Sequence, residues 1–148
     1  MPRDRFCAWL FQANPRYFDL AASLKTARAG DEDHWPVTRY RDEVQAGDRA
    51  LLWQSGPLAG LYGLAELTSD PYLARCDYSP AQIEQHPYLR CAWWVSLRFT
   101  QVFDRPVRRS VLQMHPILRE LAVLKSPRGT VFRVTWVQWA AVQALVGD

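Results

Sequence analysis

Asp48–Leu67, DRALLWQSGPLAGLYGLAEL, is the stretch on which the fold turns. An apolar run, Ala50-Leu51-Leu52-Trp53, breaks at Gln54-Ser55-Gly56-Pro57 and resumes as Leu61-Tyr62-Gly63-Leu64-Ala65. Two short apolar runs with turn residues between them predict a β-hairpin. Neither run alternates cleanly, so both faces of both strands are expected to be covered. At the break a Trp, an amide, a hydroxyl and a glycine stand where a buried strand emerges into a loop. Loops carried on rigid strands are where binding groups are usually placed.

Before the hairpin, Gln45-Ala46-Gly47-Asp48 reads as a tight turn and Arg39–Val44 as a helical turn. Pro36 pushes Trp35 toward an extended conformation, and Arg28–Asp33 is a polar loop. Phe6–Phe11 (FCAWLF) is the first strand. Asn14 as N-cap and Pro15 at the first helical position predict a helix from Pro15 to about Ala27, with Phe18, Ala21, Ala22 and Leu24 inward. After the hairpin, Tyr72–Leu89 carries Pro80 and Pro87 with little periodicity and is expected to be irregular. Cys91–Val107 is the longest strand candidate, with Trp93, Val95, Leu97, Phe99, Gln101 and Phe103 facing the core. Short helical pieces at Arg108–Met114 and Pro116–Leu121, separated at His115, lead to a turn-rich loop, Lys125–Thr130. A strand at Val131–Val134 follows, and Thr135-x-x-Gln138 has the capping-box pattern of a final helix, with Trp139, Val142 and Leu145 on one face and Gly147 as its stop. Strands at the start, middle and end with short helices between predict one α+β domain over residues 1–148, built on a small mixed sheet or barrel.

A chain of 148 residues, 49% hydrophobic and 22% charged, has the make-up of one folded domain rather than a disordered segment. Seven tryptophans exceed what a core of this size needs, which leaves one or two for a pocket; Trp9, Trp93, Trp136 and Trp139 are assigned to the core. The net charge of +3 is a mild lean toward anionic partners, and nearly all of it is arginine, which clamps phosphate and stacks on bases. Cys7, Cys76 and Cys91 are odd in number and widely spaced, so reduced thiols and a cytoplasmic setting are expected rather than a disulfide framework. No run is long and apolar enough for a membrane span.

Neither G-x-x-x-x-G-K-[ST] nor G-x-G-x-x-G occurs, and there is no G-x-S-x-G elbow. His34, His86 and His115 have no zinc-type spacing with the cysteines, and His115 before Pro116 reads as a surface or capping residue. With no nucleophile, metal set or carboxylate pair to name, the weight falls on a non-enzymatic binding module without catalytic residues, metal or cofactor.

Four stretches, in order, resemble the EVE domain, a PUA-like family related to YTH domains. They are Trp9–Pro15 (WLFQANP), Trp35–Tyr40 (WPVTRY), Gly47–Gly56 with its Leu51-Leu52-Trp53-Gln54-Ser55-Gly56 end, and Ser126–Phe132 (SPRGTVF); Trp136-x-x-Trp139 fits the family's close. The resemblance implies a PUA-like small mixed β-barrel of five to six strands with flanking short helices and a pocket at one end. Related YTH domains hold a methylated adenine in an aromatic cage, and the resemblance implies a reader of modified bases in DNA or RNA.

On that reading Trp35 and Trp53 supply the stacking faces, while Gln12, Asn14 and Ser55 contact the base edge. Gly56 lets ligand and backbone approach closely. Arg39, Lys125 and Arg128 meet phosphates, with Ser126 and Thr130 in the loop beside the pocket. The plainer alternatives stand beside it: Asn14 as a helix cap, Trp53 as core, the cations as solvated surface. A sensor of a free nucleoside-like or aromatic metabolite would use the same pocket.

Overall fold

The computed structural model describes residues 8–15, 19–74, 79–85, 93–126 and 128–147. All three cysteines, the strand start at Phe6, Phe18, His86, Pro87, Ala92 and Pro127 lie outside the described residues.

The hairpin forms as expected: β3 (Arg49–Gln54) pairs antiparallel with β4 (Gly60–Leu67). Their near-continuous apolar sequence has the expected cause, because each face is covered by its own layer. On one face Trp9, Phe11, Leu52, Tyr62, Trp35 and Leu97 pack with Leu20 and Leu24 of α1 (Leu20–Leu24). On the other, Leu10, Leu51, Trp53, Leu61 and Leu64 pack against Leu112, Leu118, Leu121, Trp139 and Val142. These last come from α3 (Arg109–Met114), a 3-10 turn (Leu118–Glu120) and its flank, and α5 (Trp136–Val146).

β1 (Ala8–Ala13) runs parallel to β3, joined by a long crossover that contains α1 and β2 (Glu32–Pro36). β6 (Trp93–Arg108) lies between β2 and β4, β7 (Val131–Val134) closes against β1, and β5 (Tyr72–Leu73) pairs with β6. The order β2-β6-β4-β3-β1-β7, with β5 off this path beside β6, makes a curled mixed sheet of seven strands, a half-barrel flanked by short helices. The register slips between Leu52 and Trp53 and at two places where β4 meets β6, and such bulges bend a sheet. The close approach there needs glycine: a Cβ on Gly63 would stand 2.8 Å from the Gln101 carbonyl oxygen.

Several local expectations change. The N-cap of α1 is Asp19, whose carboxylate accepts from Ala22 N, and not Asn14; β1 extends two residues past Phe11 and carries Gln12 and Ala13. Ala22, expected inward, is exposed, because two residues along the helix put it on the side opposite the buried Leu20 and Leu24. Glu32 and Asp33 belong to a strand, since β2 is an outer strand that tolerates polar residues. Within Tyr72–Leu89, expected to be irregular, stand β5 and α2 (Pro80–Gln85). Trp136, assigned to the core, is 61% exposed. The capping box at Thr135 and Gln138 is present in both halves, and Gly147 ends α5 at φ 72°. His115 caps the 3-10 turn, its Nδ1 accepting from Ile117 and Leu118 N at 3.1 Å.

Candidate functional site

β1 and β3 are parallel and end side by side, Ala13 opposite Gln54, while β7 begins next to them because it is antiparallel to β1. This topology brings three of the sequence stretches to one rim of the sheet. Gln12 donates through Nε2 to the Gly129 carbonyl at 2.7 Å, and its main-chain N donates to Thr130 O at 2.8 Å. Ser55 N donates to Ala13 O at 2.9 Å. Gly56, at φ 94°, faces Pro15: a Cβ there would stand 3.1 Å from Pro15 Cγ. Asn14 is exposed at the centre of this rim, directly after β1.

The fourth stretch joins through side chains. The Thr38 and Thr130 hydroxyls are hydrogen-bonded across 92 positions of sequence. The Arg39 side chain lies beside Gly129, whose φ of 114° keeps that loop tight enough for the approach. Tyr40 is the one non-glycine residue at positive φ among the described residues, at 60°. Its ring is held from three sides: Arg133 over it at 4.3 Å, Arg39 at 5.1 Å and Trp9 tilted against it at 5.4 Å. Trp9 is fixed in turn by Asp48, a buried carboxylate whose Oδ2 accepts from the indole N–H at 2.8 Å and from Gln45 N at 2.9 Å. A strained backbone held by surrounding contacts is often found at functional sites.

The expected pair of indoles does not form. Trp35 belongs to the layer under α1, where its ring stacks on Phe11 at 6.1 Å and 21°. Trp53 belongs to the opposite layer with Leu112 and Trp139. Successive strand residues point to opposite faces, and Trp53 follows Leu52, which packs with Trp35. The two rings are 4% and 2% exposed, on different sides of the sheet, and bracket no common slot. Trp53 is core.

Of the expected cations, Arg39 and Arg128 are exposed at the rim, Arg128 being next to Gly129. Lys125 ends α4 (Ala122–Lys125) and forms an ion pair with Glu120, which holds that carboxyl below its ordinary range. Ser126 caps the same helix, its N–H donating to Ala122 O at 2.9 Å. Arg133 is paired with Glu43 at 2.6 Å. Thr38, Tyr40 and Gly129 join the site beyond the residues expected from sequence. Thr38 and Tyr40 lie inside a stretch that the resemblance marks, but the Thr38–Thr130 contact has no local signal. Among the described residues no group of three or more His, Cys, Asp or Glu could hold a metal ion, and no helix is long and apolar enough to cross a membrane.

The fold is shared with several solved structures. A Pseudomonas syringae protein is 23% identical, covering 93% of this chain and 98% of that one, with a TM-score of 0.68. Human THYN1 protein, solved in complex with 5-methylcytosine-containing DNA, is 17% identical, with coverage of 96% and 98% and a TM-score of 0.66. The YTH domain of Zygosaccharomyces rouxii MRB1, in complex with N6-methyladenosine RNA, is 15% identical, with coverage of 99% and 87% and a TM-score of 0.53. At these identities the likeness is one of fold, and it supports the expected PUA-like architecture. A search of curated proteins finds no significant match. The family model for the EVE domain matches residues 8–145, and the chain belongs to the EVE domain family.

Proposed function

We propose that this chain is a non-enzymatic module that binds one modified, extruded nucleobase of DNA or RNA at the rim where β1 and β3 end. The observation that carries the reading is the convergence there of four separated stretches, in a fold shared with THYN1 bound to 5-methylcytosine DNA and a YTH domain bound to N6-methyladenosine RNA. Asn14 and Ser55 offer donors and acceptors to the base edge, and Arg39 and Arg128 take the flanking phosphates. Trp35 is the stacking wall of this proposal; it is 4% exposed and stacked on Phe11, so taking a base requires a local opening. A single wall suffices energetically for weak capture, about 1–3 kcal/mol per stacked base. A methyl group adds only about 0.8 kcal/mol by burial, so selectivity has to come from an edge contact that the wrong base leaves unmade.

Fluorescence anisotropy at low salt tests this with labelled oligonucleotides carrying 5-methylcytosine, N6-methyladenine or no modification. One modified strand should bind in preference to its unmodified twin, and Asn14→Ala should erase the preference. Equal, negligible binding across the panel would refute the proposal; stabilisation by free nucleosides alone would favour a metabolite sensor.

A further inference from the structure

We infer that the cleft between α1 and the far half of β6 is a phosphate track for the strand flanking the bound base, continuous with the rim; the inference rests on the base-binding reading above. The cleft encloses about 1030 Å³ and is bounded by α1, the turn after β3 and residues 100–108. Its place follows from the register. Arg108 at the end of β6 sits opposite Gly60, Gly60 opposite Gln54, and Gln54 opposite Ala13, while β7 begins beside Gln12. Five strand ends therefore lie in a row. At about 4.8 Å per strand the row is ~19 Å long, with the cleft at the β6 end and the base rim at the β7 end. Pro15 and Gln54 join the two, since both line the cleft while Pro15 also packs at Gly56 and Gln54 precedes Ser55. Gln54 is buried and accepts from Ala21 N at 2.9 Å, which fixes α1 as the outer wall.

Charge selects the occupant. Lys25, Arg28 and Arg108 line the cleft, and each reaches solvent. Among the described residues they face two carboxylates, Asp104 and Asp19, the latter also accepting from Ala22 N and keeping its charge, so three cations stand against two anions. The balance is positive, on a wall partly made of alanine, Tyr62 and Val102. Cations over an apolar floor suit an anionic backbone with its sugars better than a neutral metabolite.

The test compares a single-stranded nonamer with a trimer of the same central modified base, by anisotropy across a salt series. Lys25→Ala/Arg28→Ala should weaken nonamer binding ~10-fold at low salt and flatten its salt slope by about 1.4, at roughly 0.7 for each phosphate no longer neutralised. Trimer binding should stay within about two-fold, because the trimer occupies the rim alone. Both side chains lie at the surface of the cleft, and circular dichroism checks the fold. An unchanged nonamer slope, or equal weakening of trimer and nonamer, overturns the track while leaving base binding in place. Failure of the wild-type protein to bind either oligonucleotide overturns the base-binding reading first, and shows before any variant is made.

Discussion

Asp48→Ala is expected to be the most revealing single substitution. Asp48 is 5% exposed, and one of its oxygens accepts from both the Trp9 indole N–H at 2.8 Å and the Gln45 main-chain N–H at 2.9 Å. Alanine leaves both donors without that acceptor. Each buried donor so orphaned costs roughly 1–3 kcal/mol, so the loss should be about 4 kcal/mol. At ~2–4 °C per kcal/mol for a chain of this size, the midpoint of thermal unfolding falls by ~8–16 °C. Asp48→Asn separates charge from geometry: both donors meet the same oxygen, and a carboxamide oxygen turned to that place keeps both bonds in weaker, neutral form. Its loss should be well under half that of alanine. A double-mutant cycle with Trp9→Phe isolates the indole bond and should give a coupling of about 0.5–3 kcal/mol. Because Trp9 packs on Tyr40, which Arg39 overlies, the alanine variant should also loosen the rim. Hydrogen exchange of Tyr40 and Glu43 amides would report this. If Asp48→Ala unfolds within ~0.5 kcal/mol of wild type, as an inconsequential surface change does, the reasoning is wrong.

Three further outcomes follow from the geometry. Trp53→Phe should lower stability by about 1–3 kcal/mol in chemical denaturation without altering any nucleic-acid preference, because the ring lies in the layer away from Trp35; a selective loss of binding would restore it to the site. Gly129→Ala should cost on the order of 1–3 kcal/mol at φ 114° and move the Thr130 and Gln12 hydrogen bonds, visible as shifts of both amides in NMR spectra. Lys125 lowers the Glu120 carboxyl titration, so the pair's small contribution is present above the unfolded-state value and is lost as pH falls through the lower folded value. In an NMR titration Lys125→Ala should return Glu120 to the ordinary carboxylate range, with little change in stability since the pair is exposed.

Much of the architecture is legible because it depends on short-range chemistry. The hairpin follows from two apolar runs and a turn, and the missing alternation correctly implied cover on both faces. The capping box fixed the start of α5, since its two hydrogen bonds join residues three apart. Where two local signals competed, the reading failed. Asn14-Pro15 suits a helix start, yet α1 begins after Asp19, whose carboxylate accepts from Ala22 N. Trp136 sits on a helix that is apolar all round, so periodicity could not say which side would be left outside.

By itself the sequence determined the strand-forming centre, the mixed α+β class and the cap of the last helix, all of which are encoded by neighbours in the chain. Only the tertiary structure decided that Trp35 and Trp53 lie in different layers, that Thr38 meets Thr130, and that Lys125 pairs with Glu120. The reason is the parity of a pleated strand: a shift of one residue moves a side chain from one face to the other. Parity relative to a distant strand is set by register and bulges that no short stretch of sequence contains.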